Sequence, residues 1–482
     1  MKKNKLLLNV LLMFICFSCF GQQVTQNSLF FNPKADKMWD TWMYYQNKTF
    51  YLYYLIMGES VTKTNGIGLA ISKDGVSWED KGRILSKSDS ATSLGSGSVW
   101  KSLINKGKGK YILNFSELYD GTSYGKDQQY IFFASSDDFV NWTKLKKRFA
   151  PDSNFYRINE GDNSRWDCIY SISKPAGGFY GYWTANPKAF SPGFGFGETS
   201  NGIDWKALPP PIINWGNKSK MASIEVGAVE KINGKYYMMA GGSYKDNVGM
   251  YTLESDSPEG PFYPSKKNFK LLTSHPNFLF TYFARFFPYK GEVLVDHQTL
   301  SRGVTYFGLL KKAFVDKAGI LRLGYWTGNE KLKGEKKEFQ NIAMIKSSLI
   351  SFLPATLDIN NGIILEGCFP SLKENEKCAL YIGCEKNKGT AVFLEANGQV
   401  EFKDKVENSE EFKAIDTINR EMKFSSQPHF KLFLKQSLVE FYIDDILIQC
   451  YTLPSKATGK IGIFSKFKQI KNLTRWDVKN KN

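Results

Sequence analysis

The chain has 482 residues, enough for two domains with separate cores, and its 42% hydrophobic and 23% charged residues exclude a disordered or fibrous protein. Its formal charge of +17 comes from lysines scattered along the chain, not set in one stripe, so no nucleic-acid module is expected and an anionic polysaccharide is a suitable partner. Aromatic residues, at 15%, are abundant; they favour strands and supply stacking platforms for sugar rings.

Residues 1–21 have the pattern of an export signal. Lys2, Lys3 and Lys5 open it, an almost wholly apolar run from Leu6 to Phe17 follows, and small residues close it. That run is short for a transmembrane helix, and no later stretch is longer. Two processing routes are open: cleavage after Gly21, or lipidation at Cys19, which would be the chain's one membrane attachment. Either way the expected location is outside the cytoplasm, periplasmic or secreted, or lipid-anchored at the cell surface. Of seven cysteines, Cys168 stands alone in the large domain, while Cys368, Cys378, Cys384 and Cys450 cluster near the end. An exported protein permits disulfides, but four cysteines allow three pairings. No His/Cys spacing suggests zinc. No metal or organic cofactor is expected, with a calcium ion on the axis left open.

Internal repetition sets the fold. The segments Ala70–Trp78, Ala134–Trp142 and Gly197–Trp205 each run from a strand into an Asp/Asn/Gly turn closed by tryptophan, and those tryptophans stand 64 and 63 residues apart. A looser copy spans Glu254 to Phe262. Between these lie alternating aromatic strands after a polar or glycine turn: Asn47 to Leu55, Gly109 to Phe115, Gly178 to Trp183, Gly234 to Ala240 and Gly291 to Val295. About 60 residues per copy accommodates four short strands, the size of one propeller blade. The expected architecture is all-β: a five-bladed β-propeller over residues 22–330, a linker over 331–345, and a β-sandwich over 346–482.

In a propeller the innermost strands line a central funnel. The strand leading into each turn before an aromatic strand carries an unusual residue near its start: Asp40, Ser98, Asp167, Glu225 and Arg285, at nearly matching register. Three carboxylates converging from different blades would repel one another and raise at least one pKa, which suits glycoside hydrolysis by paired carboxylates. Glu230 lies five residues after Glu225 and is expected on the opposite face, in the turn. Trp42, Trp100 and Trp183 are candidates for sugar stacking, and each suits blade packing better. Trp39, Ser98, Arg165, Arg285 and His297 are candidates for holding substrate.

The run Trp39-Asp40-Thr41-Trp42-Met43-Tyr44-Tyr45, with Thr49 to Tyr54 after it, resembles the first blade of glycoside hydrolase families 32 and 43. Glu225-Val226 leading into Ile232-Asn233-Gly234-Lys235-Tyr236-Tyr237 is similar to a later blade, and Phe430 to Tyr451 is similar to the sandwich that follows the propeller in family 32. The resemblance implies that Asp40 is the nucleophile (family 32) or general base (family 43), Asp167 a transition-state stabiliser, and Glu225 the general acid. The family-32 Asn-Asp-Pro-Asn-Gly pattern is here Trp39-Asp40-Thr41-Trp42-Met43. Arg-Asp-Pro is Arg165-Trp166-Asp167-Cys168, and Glu-Cys is Glu225-Val226. The residues that grip fructose are thus not reproduced, while the acid trio is.

The expected activity is hydrolysis of terminal, furanosyl-type glycosidic bonds in oligo- or polysaccharides. Two other functions fit the same residues. A glycan receptor without catalysis would keep the aromatics but not need all three carboxylates. A phosphorolytic enzyme would need a basic cluster beside the acid, for which Arg165 and Arg285 are the visible candidates.

Overall fold

The computed structural model describes residues 26–479 apart from 28, 35–36, 59–62, 105–108, 121–127, 159–164, 246, 274–280, 340–344, 348–349, 375, 408, 421 and 465–469. The export segment and Cys19 therefore lie outside the described residues. Among the described residues there are strands and two short 3-10 turns, and no helix is long and apolar enough to cross a membrane.

Five antiparallel sheets surround one axis as the blades of a propeller. Their innermost strands are Met38–Gln46, Ser93–Lys101, Trp166–Ser173, Met221–Ile232 and Thr281–Tyr289. The aromatic strands that follow (Thr49–Met57, Tyr111–Tyr119, Phe179–Ala185, Lys235–Tyr244 and Glu292–Ser301) pair with them as the second strand of each blade. The repeated turn has one hydrogen-bond scheme in three blades. In the first, the Ser72 hydroxyl accepts the N–H of Gly75 at 2.8 Å, and Asp74 Oδ1 accepts the N–H of Ser77 at 2.8 Å. Ser136 with Asp138, and Thr199 with Asn201, do the same. The position after Asp or Asn requires a left-handed backbone, met by Gly75 (φ 79°) and Gly202 (φ 85°) and forced on Phe139 (φ 66°).

The ring closes through its N-terminal segment. Gln26–Asn27 adds an outer strand to blade one beside Trp78. Phe31 then exchanges both backbone hydrogen bonds with Phe307 of blade five, at 3.1 and 2.7 Å.

The C-terminal domain is a sandwich. One sheet runs in the order Ile446–Thr452, Leu438–Ile443, His429–Lys435, Ile363–Cys368, Lys471–Val478, Lys333–Glu338, and the other holds Lys377–Cys384, Gly389–Glu395 and their neighbours. Leu365, Leu432, Phe441, Leu380, Val392 and Phe402 fill the space between. The stretch expected to be a linker is partly strand: Lys333–Glu338 pairs along Lys471–Val478 as the edge of the first sheet, where its lysine and glutamate side chains suit an exposed border. That sheet is continuous with blade five through the pair Gly324 and Ile446. The five described cysteines are all free thiols.

Candidate active site

Every innermost strand breaks register near its start: between Trp39 and Thr41, Gly95 and Gly97, Asp167 and Tyr170, Val226 and Ala228, and Tyr282 and Ala284. A bulge re-aims the side chains beside it. Asp40 sits on the bulge itself with φ 36°, and Cys168 (φ 41°) and Phe283 (φ 66°) share that conformation in their blades. The anticipated matching register is therefore only approximate. Measured from the bulge, Asp40 is on it, Asp167 and Glu225 precede it, and Ser98 and Arg285 follow it.

This offset separates the five residues into two groups. Asp167 and Glu225 are brought together by Arg165, whose Nη2 donates to Asp167 Oδ2 at 3.0 Å and to Glu225 Oε1 at 2.6 Å. Burial opposes the Arg165 charge, but the two carboxylates outweigh it and hold the guanidinium firmly protonated. Asp167 Oδ1 also accepts the Ser116 hydroxyl at 2.5 Å, and Ser116 in turn accepts Gln129 Nε2 at 2.9 Å. Asp40 receives Gln298 Nε2 at 3.1 Å. Its pKa is raised to about 7, first by burial and then by the charges of Glu225 and Asp167, against which Arg285 and Arg165 pull downward.

Arg285 and Ser98 do other work. Arg285 is 1% exposed and reaches across the axis to blade two, donating to the Gly97 carbonyl and the Ser96 hydroxyl, each at 2.7 Å. It is a buried tie that also biases Asp40 and is not a surface hand for substrate. The Ser98 hydroxyl is spent on the Ile169 carbonyl at 2.6 Å, linking blades two and three. Trp42, Trp100 and Trp183 are all buried; Trp42 stacks on Tyr53, Trp100 donates to the Gly202 carbonyl at 3.0 Å, and Trp183 packs against Trp166. None of the three is a sugar platform, because their aromatic area closes gaps between blades. Trp39, beside Asp40, stays half-buried.

His297 does not reach the axis. It is fully buried against the sandwich, where Nε2 lies 3.1 Å from Glu440 Oε1 and 2.8 Å from Lys311 Nζ. Its strand alternates, so its neighbours face blade one instead: Asp296 accepts the Thr41 hydroxyl at 3.2 Å, and Gln298 serves Asp40. Burial raises the Asp296 pKa to about 8. These two residues were missed one position away from the residue chosen, and strand alternation was the available signal. His297, Glu440 and Cys450 are also the one group among the described residues with metal-ligand spacing. Lys311 Nζ, 2.8 Å from both His297 Nε2 and Glu440 Oε2, already fills the cation position there.

Glu230 is not in a turn. It lies near the end of the strand Met221–Ile232, accepts the Tyr170 hydroxyl at 2.5 Å, and is raised to about 7 by burial. It lines a cavity of about 570 Å³ at the other end of the inner strands, with Tyr44, Tyr170 and Phe287.

An all-β chain with a propeller carrying a carboxylate centre on its axis and a sandwich continuous with its last blade has the architecture of family-32 glycosidases. The likeness to solved structures extends over nearly the whole chain. Sucrose-6-phosphate hydrolase from Lactobacillus gasseri superposes with a TM-score of 0.72 at 12% identity, over 94% of this chain and 93% of that one. The GH32 β-fructofuranosidase of Bombyx mori gives 0.67 at 13% identity, over 94% and 93%. Fructan 1-exohydrolase IIa from Cichorium intybus, in complex with 1-kestose, gives 0.66 at 14%, over 95% and 98%. No protein-family model matches this sequence, and no curated protein matches it either.

Proposed function

We propose that the protein is an exported glycoside hydrolase that cleaves terminal furanosyl bonds of oligo- or polysaccharides with Asp40, Asp167 and Glu225. The observation that carries this reading is the acid centre itself: Arg165 joins Asp167 and Glu225, and Asp40 is electrostatically coupled to both on the propeller axis. Surplus carboxylates in a partly desolvated site hold a proton near neutral pH, which glycosidic cleavage requires of one member while another stays ionised. Structural likeness to enzymes named as fructofuranosidases and a fructan exohydrolase supports the furanosyl class. The basic and apolar opening of the sequence supports export.

In this reading Glu225 protonates the leaving oxygen, Asp40 attacks the anomeric carbon or activates water to do so, and Asp167 steadies the oxocarbenium-like transition state. One observation favours the reverse assignment of the first two. In the resting protein Asp40 carries the raised pKa, while Arg165 at 2.6 Å favours ionised Glu225. For Glu225 to act as the acid, substrate must loosen that contact and let Glu225 take up a proton.

The experiment is sugar release from fructans, arabinans and anionic polysaccharides by the wild type, Asp40→Asn and Glu225→Gln. Collapse in both variants supports the reading, and equal release by all three proteins removes it. Binding without release by the wild type identifies a glycan receptor. An activated aryl furanoside separates the roles. The variant lacking the acid regains turnover on this substrate, which needs no proton on its leaving group, and the variant lacking the nucleophile or base does not.

A further inference from the structure

A buried side-chain amide shows by its hydrogen bonds what it is for, and two in the propeller make the comparison. Asn114, between blades two and three, is fully spent. Its Nδ2 donates to the Ser98 carbonyl, the Ser98 hydroxyl and the Ile169 carbonyl, each at 3.0 Å, and its Oδ1 accepts the Ile169 N–H at 2.8 Å. Gln298, on the strand Glu292–Ser301 of blade five, is also buried but makes one contact, donating from Nε2 to Asp40 Oδ1 at 3.1 Å. Its Oε1 is buried with no partner. A buried acceptor left unpaired costs the fold stability, so packing alone would be better served by an apolar side chain of the same length.

That contact is the one side-chain hydrogen bond Asp40 receives among the described residues, and it falls on Oδ1, leaving Oδ2 for the reacting carbon or water. Asp296, two positions before Gln298 and so on the same face of the strand, accepts the hydroxyl of Thr41, the residue after Asp40. Asp296 Oδ2 is likewise buried without a partner. Blade five thus grips the side chain of Asp40 and the residue next to it, where the backbone of blade one is held at φ 36°. Each grip leaves an unpaired buried oxygen behind. That is a poor way to tie two blades together and an effective way to aim one carboxylate.

We propose that Gln298 is a positioning residue for Asp40: its amide N–H fixes the Oδ1 side of the carboxylate and turns Oδ2 towards the substrate, while Asp296 holds the adjoining bulge through Thr41. The catalytic meaning rests on the glycosidase reading, and the two can fail separately. The charged groups that bear on Asp40 are Asp167 and Arg165 from blade three, Glu225 from blade four and Arg285 from blade five. To these Gln298 adds a neutral donor that favours the ionised form. Gln298→Met keeps the length and removes the donor, and Gln298→Glu keeps the shape and adds a charge. In an infrared titration of the protonated-carboxyl band, Asp40→Asn identifies the Asp40 component. Its midpoint should rise by about one pH unit in Gln298→Met and further in Gln298→Glu. A midpoint unmoved in both variants overturns the proposal. Thermal melting at pH 5 should place Gln298→Met at or above the wild type, because the unpaired oxygen is gone. A clear drop makes Gln298 a tie between blades and overturns the proposal as well. In a sugar-release assay at a pH above both midpoints, Gln298→Met should lose about tenfold in kcat while KM stays within about twofold, and an unchanged kcat overturns the positioning role. If the midpoint moves but the wild type releases no sugar, the glycosidase reading fails and the hold of Gln298 on Asp40 stands.

Discussion

Two clusters of ionisable groups, one half-buried on the propeller axis and one fully buried at the junction with the sandwich, resolve their charges in opposite ways. At the junction a single carboxylate, Glu440, collects the Leu309 N–H at 2.9 Å, the Tyr442 hydroxyl at 2.8 Å, Lys311 Nζ at 2.8 Å and the His297 ring at 3.1 Å. Burial would raise its pKa, but Lys311 and His297 outweigh burial and bring it to about 2. On the axis Asp40 is raised to about 7 and Asp296 to about 8 by the same burial, without enough donors to offset it. Burial of a carboxylate does not mark a reactive site. What makes a candidate is burial with too few donors to settle the charge.

The comparison breaks first on activity. Asp40→Asn and Glu225→Gln should each lower kcat by about 10²–10⁴-fold while melting at or above the wild-type temperature, since each relieves repulsion among carboxylates. Calorimetric melting beside steady-state kinetics tests this, and a strong loss of stability in either variant would place that carboxylate with Glu440 as a structural group. Glu440→Gln should behave in the reverse sense, costing about 3–5 kcal/mol by leaving Lys311 buried without its counter-charge. Denaturant titration measures it.

The two clusters should also give opposite pH dependences. Glu440 ionises more readily in the fold than in the unfolded chain, so its contribution is present above pH 4.5 and is lost as pH falls towards 2. Asp296 ionises less readily, so stability falls as pH rises from about 4 to 8. Asp296→Asn should therefore raise the melting temperature more at pH 8 than at pH 5, and an equal gain at both would contradict the raised pKa. The smallest effect concerns Trp100. Trp100→Phe should cost about 1 kcal/mol through the lost bond to Gly202 and leave KM for any sugar substrate unchanged.

Much of the propeller was legible because its turns are chemical signatures. Ser-x-Asp and Thr-x-Asn each fix a turn through their own side chains, so equal spacing of those residues is equal spacing of hairpins. That Asp40, Asp167 and Glu225 would lie near one another was legible from their position near the strand starts. The bulges were not, because the extra residue shows only as a break in pairing between two strands distant from any sequence pattern. Without them Asp40, Ser98 and Arg285 look equivalent, whereas the structure uses the first on the axis and the other two as ties between blades. The same blindness chose His297 over Asp296 and Gln298. The alternation of that strand is plain, but which face meets blade one depends on Thr41, more than 250 positions away.

Closure of the ring has a consequence for how the chain reaches its fold. Phe31 waits for Phe307, and Ser301 and Thr299 wait for Ser437 and Thr452, so the joint between the first and last blades and the backing of the last one are made by segments synthesised long after blade one. Contacts of such long separation carry a high entropic cost before they return any stabilisation, and they make folding slow. A partly synthesised chain holds blades one to four as local hairpins but leaves blade one without its contact to blade five and blade five without its sandwich. The native state is then reached only once nearly the entire polypeptide is present, which makes the C-terminal domain a checkpoint in the assembly of the propeller that precedes it.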